Sequence, residues 1–278
     1  MSNKYSMGKY PLTNVKGVNN MNKTDYVSFN AAAWDNTNEC LVDWTTAISH
    51  EDYIEAKKGA INVSLAGIKK VPKEWFPELK GSAVLALACG GGQQCPVFAA
   101  HGAEVTVTDI SNNQLKKEEF VSKREGYDIH IVKADLSKPF PFADNSFDMI
   151  FNPISNCYIE DIMPMWSECA RVIKAGGVLM MAFVKEEHFL FEPDFKNEDF
   201  LITRHSLPFN PLRDLSEEQL KQKQDAQMPL AFSHTLTEQI GGLIKAGFEI
   251  TDIYEDCDGH GLFDKYMNSY VAVRAIKK

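Results

Sequence analysis

The chain has 278 residues, 44% hydrophobic and 24% charged, with a net charge of −9 and no run of lysines or arginines. This is the composition of a globular protein; it excludes a largely disordered chain and argues against nucleic acid or an anionic membrane surface as partner. Cys40, Cys89, Cys95, Cys157, Cys169 and Cys257 make no CxxC pair and no Cys/His ligand spacing, so free thiols in a reducing compartment are expected, and no metal.

Residues 1–22 are polar and Asn-rich, without the apolar core of a signal peptide, and no apolar run is long enough to span a bilayer; a cytoplasmic location is expected. From Asp25, the residues Tyr26, Phe29, Asn30, Ala33 and Trp34 draw one stripe on a helix. That stripe reads either as packing against the core or as a lid over a ligand, with Tyr26 and Trp34 as the contacting rings. A second helical piece is predicted over 51–58. Residues 71–79, with two prolines, connect to the first strand. Residues 1–80 together form a helical extension or lid ahead of an α/β domain over 81–278.

The stretch from Gly81 to Asp109 organises that domain. Val84 to Ala88 is an apolar run, as in a central parallel strand covered on both faces. Gly90, Gly91 and Gly92 follow and permit a sharp turn with close backbone approach to a ligand. Pro96 places the next helix start near Gln93. The second strand, Glu104 to Thr108, delivers Asp109 to its carboxyl end, where an acid accepts ribose hydroxyls.

Ser111 and Gln114 then match a capping box, and Gly126 closes the helix. Residues 127–132 form a third strand and FDMIFNP a fourth, ending at Asn152 and Pro153. Residues 163–173 carry a helical apolar stripe that Gly176-Gly177 terminates ahead of a fifth strand, VLMMAFV. Residues 186–233 lose the pattern and hold six phenylalanines, Phe195 among them; this reads as an inserted cap with some structure of its own. Thr235 and Glu238 form another capping box, and FEITDIYED and YMNSYVAVRAI are consecutive strands that pair antiparallel or lie apart.

Alternating strands and helices predict a Rossmann-like, doubly wound sheet of seven strands, mostly parallel with one antiparallel terminal strand. With the glycine turn, the VTDIS and KADL segments, FDMIFNP and RVIKAGG, the chain resembles the class I S-adenosylmethionine-dependent methyltransferases. The resemblance implies S-adenosyl-L-methionine as cofactor and a methyl transfer, and the acidic balance and inserted cap favour a small-molecule acceptor. It places Ala88, Cys89, Gly90, Gly91, Gly92 and Asn152 around the cofactor, Asp109 and Ile110 at the ribose and adenine, and Ala134, Asp135 and Leu136 at the adenine. Two residues depart from the family's D-L-G-C-G-x-G: Ala86 replaces the acid, and Ala88 replaces the first glycine in what reads as a right-handed or extended backbone.

Methyl transfer chiefly requires alignment, with a general base where the acceptor is a hydroxyl or ammonium. Candidates near the transfer point are Asn152, Asn156 and Tyr158, with turn chemistry or packing as the alternative reading for each. His188, after the fifth strand, is a candidate base, with a structural or solvent-facing histidine as the alternative reading; His50, His205 and His234 have weaker claims. Cys89 and Cys95 read as small buried hydrophobes, and Asp256, Asp258 and Asp264 as a solvated loop. Two other functions fit the same turn. One is an NAD-dependent oxidoreductase, against which Cys95 stands at the third position of G-x-G-x-x-G; the other is a noncatalytic cofactor-binding or interaction protein.

Overall fold

A computed structural model describes residues 23–36, 45–191 and 200–278. The stretch 1–22, Cys40 and Phe195 lie outside the described residues. In chain order the helices are α1 (Lys23–Asp35), α2 (His50–Lys57), α3 (Cys95–Ala100), α4 (Asn112–Glu125), α5 (Met163–Val172), α6 (Pro211–Asp214), α7 (Glu217–Asp225) and α8 (Leu236–Lys245). The strands are β1 (Ala83–Leu87), β2 (Glu104–Asp109), β3 (His130–Lys133), β4 (Phe147–Asn152), β5 (Ile173–Val184), β6 (Phe248–Asp256) and β7 (Tyr270–Lys277).

The seven strands form one sheet in the order β3-β2-β1-β4-β5-β7-β6. β1 to β5 are parallel, and β7 runs antiparallel to both β5 and β6. The apolar runs seen in the sequence are the buried central strands: Val84 to Leu87 and Leu179 to Ala182 are fully buried. One core lies on each face of the sheet. Phe98, Trp75 and Val97 fill the first, and Trp166, Met165 and Leu243 fill the second.

The ends of the helices follow local chemistry. Ser111 caps α4 by accepting from the Gln114 N–H, and Gly126 closes it in the left-handed region at φ 72°. The Ser111 box is only half formed, because the Ser111 N–H donates to Asp109 Oδ1 instead of to Gln114 Oε1, while Gln114 Nε2 donates to the Trp34 carbonyl. The Thr235 and Glu238 box on α8 is complete. Gly176-Gly177 differs from expectation. α5 stops at Val172 because Ile173 is already extended and begins β5, pairing with Phe147. The next pair is Met149 with Val178, so the glycines form a bulge inside the strand. Gly176 takes φ 76° there, and a Cβ on Gly177 would fall 2.6 Å from Ile173 Cγ1.

Because β7 is antiparallel, its first residue, Tyr270, pairs with Val184 at the carboxyl end of β5. Both members of the last strand pair therefore present their connecting loop at the same sheet edge as the glycine turn. Residues 62–68 roof that edge: Ile154 N donates to the Leu65 carbonyl, and Ile68 N to the Cys257 carbonyl. Asp256, expected in a solvated loop, is instead fully buried and accepts from the Lys69 and Cys257 N–H groups, which ties the roof to the end of β6. Among the described residues, no helix is long and apolar enough to cross a membrane.

Candidate active site

A cavity of roughly 1430 Å³ opens at the carboxyl edge of the sheet. This exceeds the space most single small ligands fill, about 300 to 1,000 Å³. Its floor is the glycine turn. Ala88, Cys89 and Gly90 line it, whereas Gly91 and Gly92 face the protein behind the turn. There the Gly91 N–H donates to the Gln114 carbonyl and the Gly92 N–H to Glu118 Oε1 at 2.7 Å. Ala88 does not take the right-handed or extended backbone expected of it; it sits at φ 45°, where a Cβ is strained and glycine is at ease.

Asp109 ends β2 beside this turn. Its Oδ2 accepts from the Gly90 N–H at 3.0 Å and its Oδ1 from the Ser111 N–H at 2.8 Å. Burial pushes its carboxyl up to about 6, against the lowering effect of those two donors. A Cβ on Gly90 would lie 2.8 Å from Asp109 Oδ2, so only glycine lets turn and acid meet. Gln114 also faces the cavity, and its buried Oε1 has no hydrogen-bond partner. Ile110, Ala134, Asp135 and Leu136 continue the wall, with Asp135 Oδ1 accepting from the Ser137 N–H at 2.9 Å. Ala86 is fully buried within β1 and away from the wall.

Behind the turn, Glu118 on α4 is fully buried. Desolvation, with Asp109 adding repulsion, pushes its carboxyl up to about 8. Sequence reasoning missed this residue because it sits among charged neighbours in KKEEF and shows no periodic signal of burial.

Asn152 and Asn156 lie off the cavity wall. Asn152 Nδ2 donates to the Leu87 carbonyl at 3.1 Å and to Ser155 Oγ at 2.8 Å, bracing β4 against β1. Asn156 Nδ2 donates to Gln239 Oε1 on α8. Tyr158 does line the cavity, packed edge-on against Trp34 at 5.3 Å. Tyr26 and Trp34 of α1 also face it, and Tyr26 is buried there against Phe232. Asp35, at the end of α1, accepts from Ser111 Oγ at 2.7 Å and from the Asn113 N–H.

His188 is on the wall too, stacked on Phe263 at 4.0 Å, with its Nδ1 3.4 Å from Ser269 Oγ. Burial pulls its imidazole down to about 4, so the ring is neutral at physiological pH. His234 is buried against the Ile159 carbonyl, and His50 pairs with Glu125 on the surface. Cys89 and Cys95 are buried thiols, raised by desolvation, and Cys95 packs helix against strand where a dinucleotide turn needs glycine. Sequence reasoning also missed the Asp258 and Tyr270 pair, 2.7 Å apart on the far wall, which antiparallel insertion of β7 brings together.

Residues 85–181 match a family described as the methyltransferase domain. The chain is 41% identical over 251 residues to the uncharacterized methyltransferase YbaJ of Bacillus subtilis, covering 90% of this chain and 98% of that protein. A shorter match, 28% identical over 102 residues, is to the sterol 24-C-methyltransferase of Pneumocystis carinii, covering 36% of this chain and 27% of the relative. Another, 34% identical over 102 residues, is to the demethylmenaquinone methyltransferase of Renibacterium salmoninarum, covering 37% and 41%. The solved S-adenosylmethionine-dependent methyltransferase of Mesorhizobium loti shares the fold, with TM-score 0.56 at 19% identity over 80% of this chain and all of that one. These similarities and the sheet order agree: the chain belongs to the class I S-adenosylmethionine-dependent methyltransferase family.

Proposed function

We propose that this methyltransferase binds S-adenosyl-L-methionine along the wall formed by the glycine turn, Asp109 and Asp135, and methylates a small molecule enclosed in the remainder of the cavity. The observation that carries this reading is that one continuous cavity joins the glycine turn to an aromatic lobe walled by Tyr158, Phe189 and Phe263. The residues fit the cofactor. Both Asp109 oxygens take backbone donors, and the carboxylate keeps lone-pair positions for a ribose hydroxyl, with the orphaned Gln114 Oε1 as a further acceptor beside it. Ile110, Ala134 and Leu136 offer apolar contact to the adenine and Asp135 an acceptor for its amino group. Ala88, Cys89 and Gly90 bring backbone to the methionine end, where Ala86 supplies no charge. Gly91, Gly92 and Asn152 act by holding the turn and the end of β4 in place.

When bound, the sulfonium supplies an activated methyl group. The protein's own part is to align the acceptor and exclude water, and proximity of this kind is worth about 7 to 11 kcal/mol of barrier. Of the 1–80 extension, α1 with Tyr26 and Trp34 serves as the lid, and of the 186–233 insertion in the 81–278 domain, the described residues 186–191 and 200–233 serve as the cap. Enclosure by lid and cap favours a small acceptor over nucleic acid, as do the names of the sterol and quinone relatives. With its imidazole near 4, His188 serves as a neutral aromatic wall rather than as the base it was a candidate for, and the free thiols of Cys89, Cys95, Cys157, Cys169 and Cys257 fit a cytoplasmic enzyme.

Calorimetric titration with S-adenosylmethionine, S-adenosylhomocysteine and NAD tests this reading. Binding of the two adenosyl ligands is expected; tight NAD binding with no response to the other two would sink it. Transfer of labelled methyl groups to a metabolite library then identifies the acceptor.

A further inference from the structure

The aromatic lobe of the cavity contains an acid with no lysine or arginine partner among the described residues; the exposed His260 beside it favours its charge, but its Nδ1 lies against the Asp258 carbonyl, 3.1 Å away, and not the carboxylate. Asp258, two residues past the end of β6, lines the lobe half-buried, and Oδ1 accepts from the Tyr270 hydroxyl at 2.7 Å. Among the described residues no lysine or arginine forms an ion pair with it, and Oδ2 has no hydrogen-bond partner. Nearby cations are engaged elsewhere: Lys69 Nζ donates to the Glu255 carbonyl, Lys185 pairs with the Glu255 carboxylate, and Lys70 Nζ donates to Ser64 Oγ. His188, on the same wall, is held neutral. Tyr270 touches the carboxylate, and the rings of Phe263, Tyr158 and His188 line the same cavity, His188 stacked on Phe263.

A half-buried carboxylate without a cation is costly, and burial together with Asp264 and Asp256 raises the Asp258 carboxyl above its ordinary range. Aromatic faces attract organic cations and do little for anions. An acceptor carrying an ammonium group would satisfy both features at once, filling the open Oδ2 position and stacking against the rings. A neutral hydroxyl would meet the hydrogen bond and leave the charge unbalanced.

We propose that Asp258, oriented by Tyr270, anchors an organic ammonium group of the methyl acceptor within the aromatic lobe. This deepens the proposed function and rests on it, because the lobe is an acceptor site only if the glycine-turn side holds the cofactor. Tyr270 lies on β7, two strands from β4, a separation of about 10 Å at ordinary strand spacing. The ammonium is thus a handle that fixes the acceptor, and a more distant atom of the same molecule receives the methyl group.

The test is calorimetric titration of the full chain, saturated with S-adenosylhomocysteine, with 2-phenylethylammonium and with 2-phenylethanol as its neutral counterpart. The ammonium is expected to bind at least about tenfold more tightly. Asp258→Asn should abolish that preference, and Tyr270→Phe, which keeps the charge, should weaken ammonium binding and retain the preference. Equal affinities in the wild type, no ammonium binding up to about 10 mM, or a preference surviving in a folded Asp258→Asn protein would each overturn the proposal. The wild-type comparison decides by itself should Asp258→Asn fail to fold. Affinity for S-adenosylhomocysteine, measured in the same preparations, separates the two readings. If that ligand does not bind while the ammonium binds through Asp258, the cofactor assignment fails and the cation site stands.

Discussion

Asn30 and Leu230, 200 residues apart, hold each other through a reciprocal amide pair: Asn30 Nδ2 donates to the Leu230 carbonyl at 3.0 Å, and the Leu230 N–H donates to Asn30 Oδ1 at 2.8 Å. The pair is buried and lies beside the Tyr26 and Phe232 rings, which meet edge-on at 5.1 Å. It fastens helix α1 to the segment that follows α7. Asp35 fastens the other end of α1 to Ser111, two residues from Asp109. Asn30→Ala would leave two buried backbone groups unsatisfied and should cost about 2 to 4 kcal/mol. Urea unfolding reads the loss, and hydrogen exchange at 228–232 should quicken; a midpoint unchanged from wild type would show that the pair contributes nothing.

Asp109→Asn tests the ribose assignment. An amide cannot accept from both the Gly90 and Ser111 N–H groups, and it loses the anionic acceptor for a hydroxyl. Affinity for S-adenosylhomocysteine should fall about 10- to 100-fold, or about 1.4 to 2.8 kcal/mol. Gly90→Ala should do at least as much, since its Cβ would press on the same carboxylate. Undiminished binding by both variants would place the ligand elsewhere.

Ala88→Gly should stabilise the protein. Holding alanine at positive φ costs about 1 to 2 kcal/mol, offset by about 0.5 to 1 kcal/mol of extra chain entropy for glycine, so a gain of up to about 1.5 kcal/mol is expected. Ala88→Val should destabilise. Thermal melts of the two variants must move in opposite directions for this account to hold.

Glu118 predicts a pH dependence of stability. Its folded-state value of about 8 lies above the unfolded carboxylate range, so the folded protein binds more protons than the unfolded one between about pH 4.5 and 8. Stability should therefore fall as pH rises through that window, by a few kcal/mol, with Asp109 adding a smaller fall that ends near pH 6. Glu118→Gln, whose Oε1 still accepts from Gly92, should remove most of the decline. Urea midpoints of wild type and variant at pH 5 and pH 9 check the sign; a parallel decline in both would rule out Glu118 as its source.

Local chemistry made much of this legible beforehand. The apolar run, the glycine turn, Pro96 and the cap at Thr235 act within a few residues, and the sequence displays them directly. What stayed hidden depends on residues far apart in the chain. Ala88 looks ordinary until the turn forces its φ. Gly176-Gly177 reads as a helix stop because the same dipeptide serves a bulge, and only the pairing of Ile173 with Phe147 distinguishes the two. Asn156 reads equally as turn chemistry or as a ligand contact, and its bond to Gln239 on a distant helix is neither pattern. Asp258 and Tyr270 meet only because β7 turns back alongside β5.

That placement of β7 also bears on biosynthesis. β6 is made before β7 yet borders it alone, so a nascent chain has completed β6 while the edge of β5 remains bare. Until residues 270–277 have emerged, two strands lack their shared neighbour and expose unpaired backbone that invites association with other chains. The same late event sets Tyr270 beside Asp258. A ribosome-bound intermediate would therefore carry the glycine-turn end of the cavity ahead of its aromatic lobe, so that, on the proposed function, cofactor capture precedes the capacity to select a substrate.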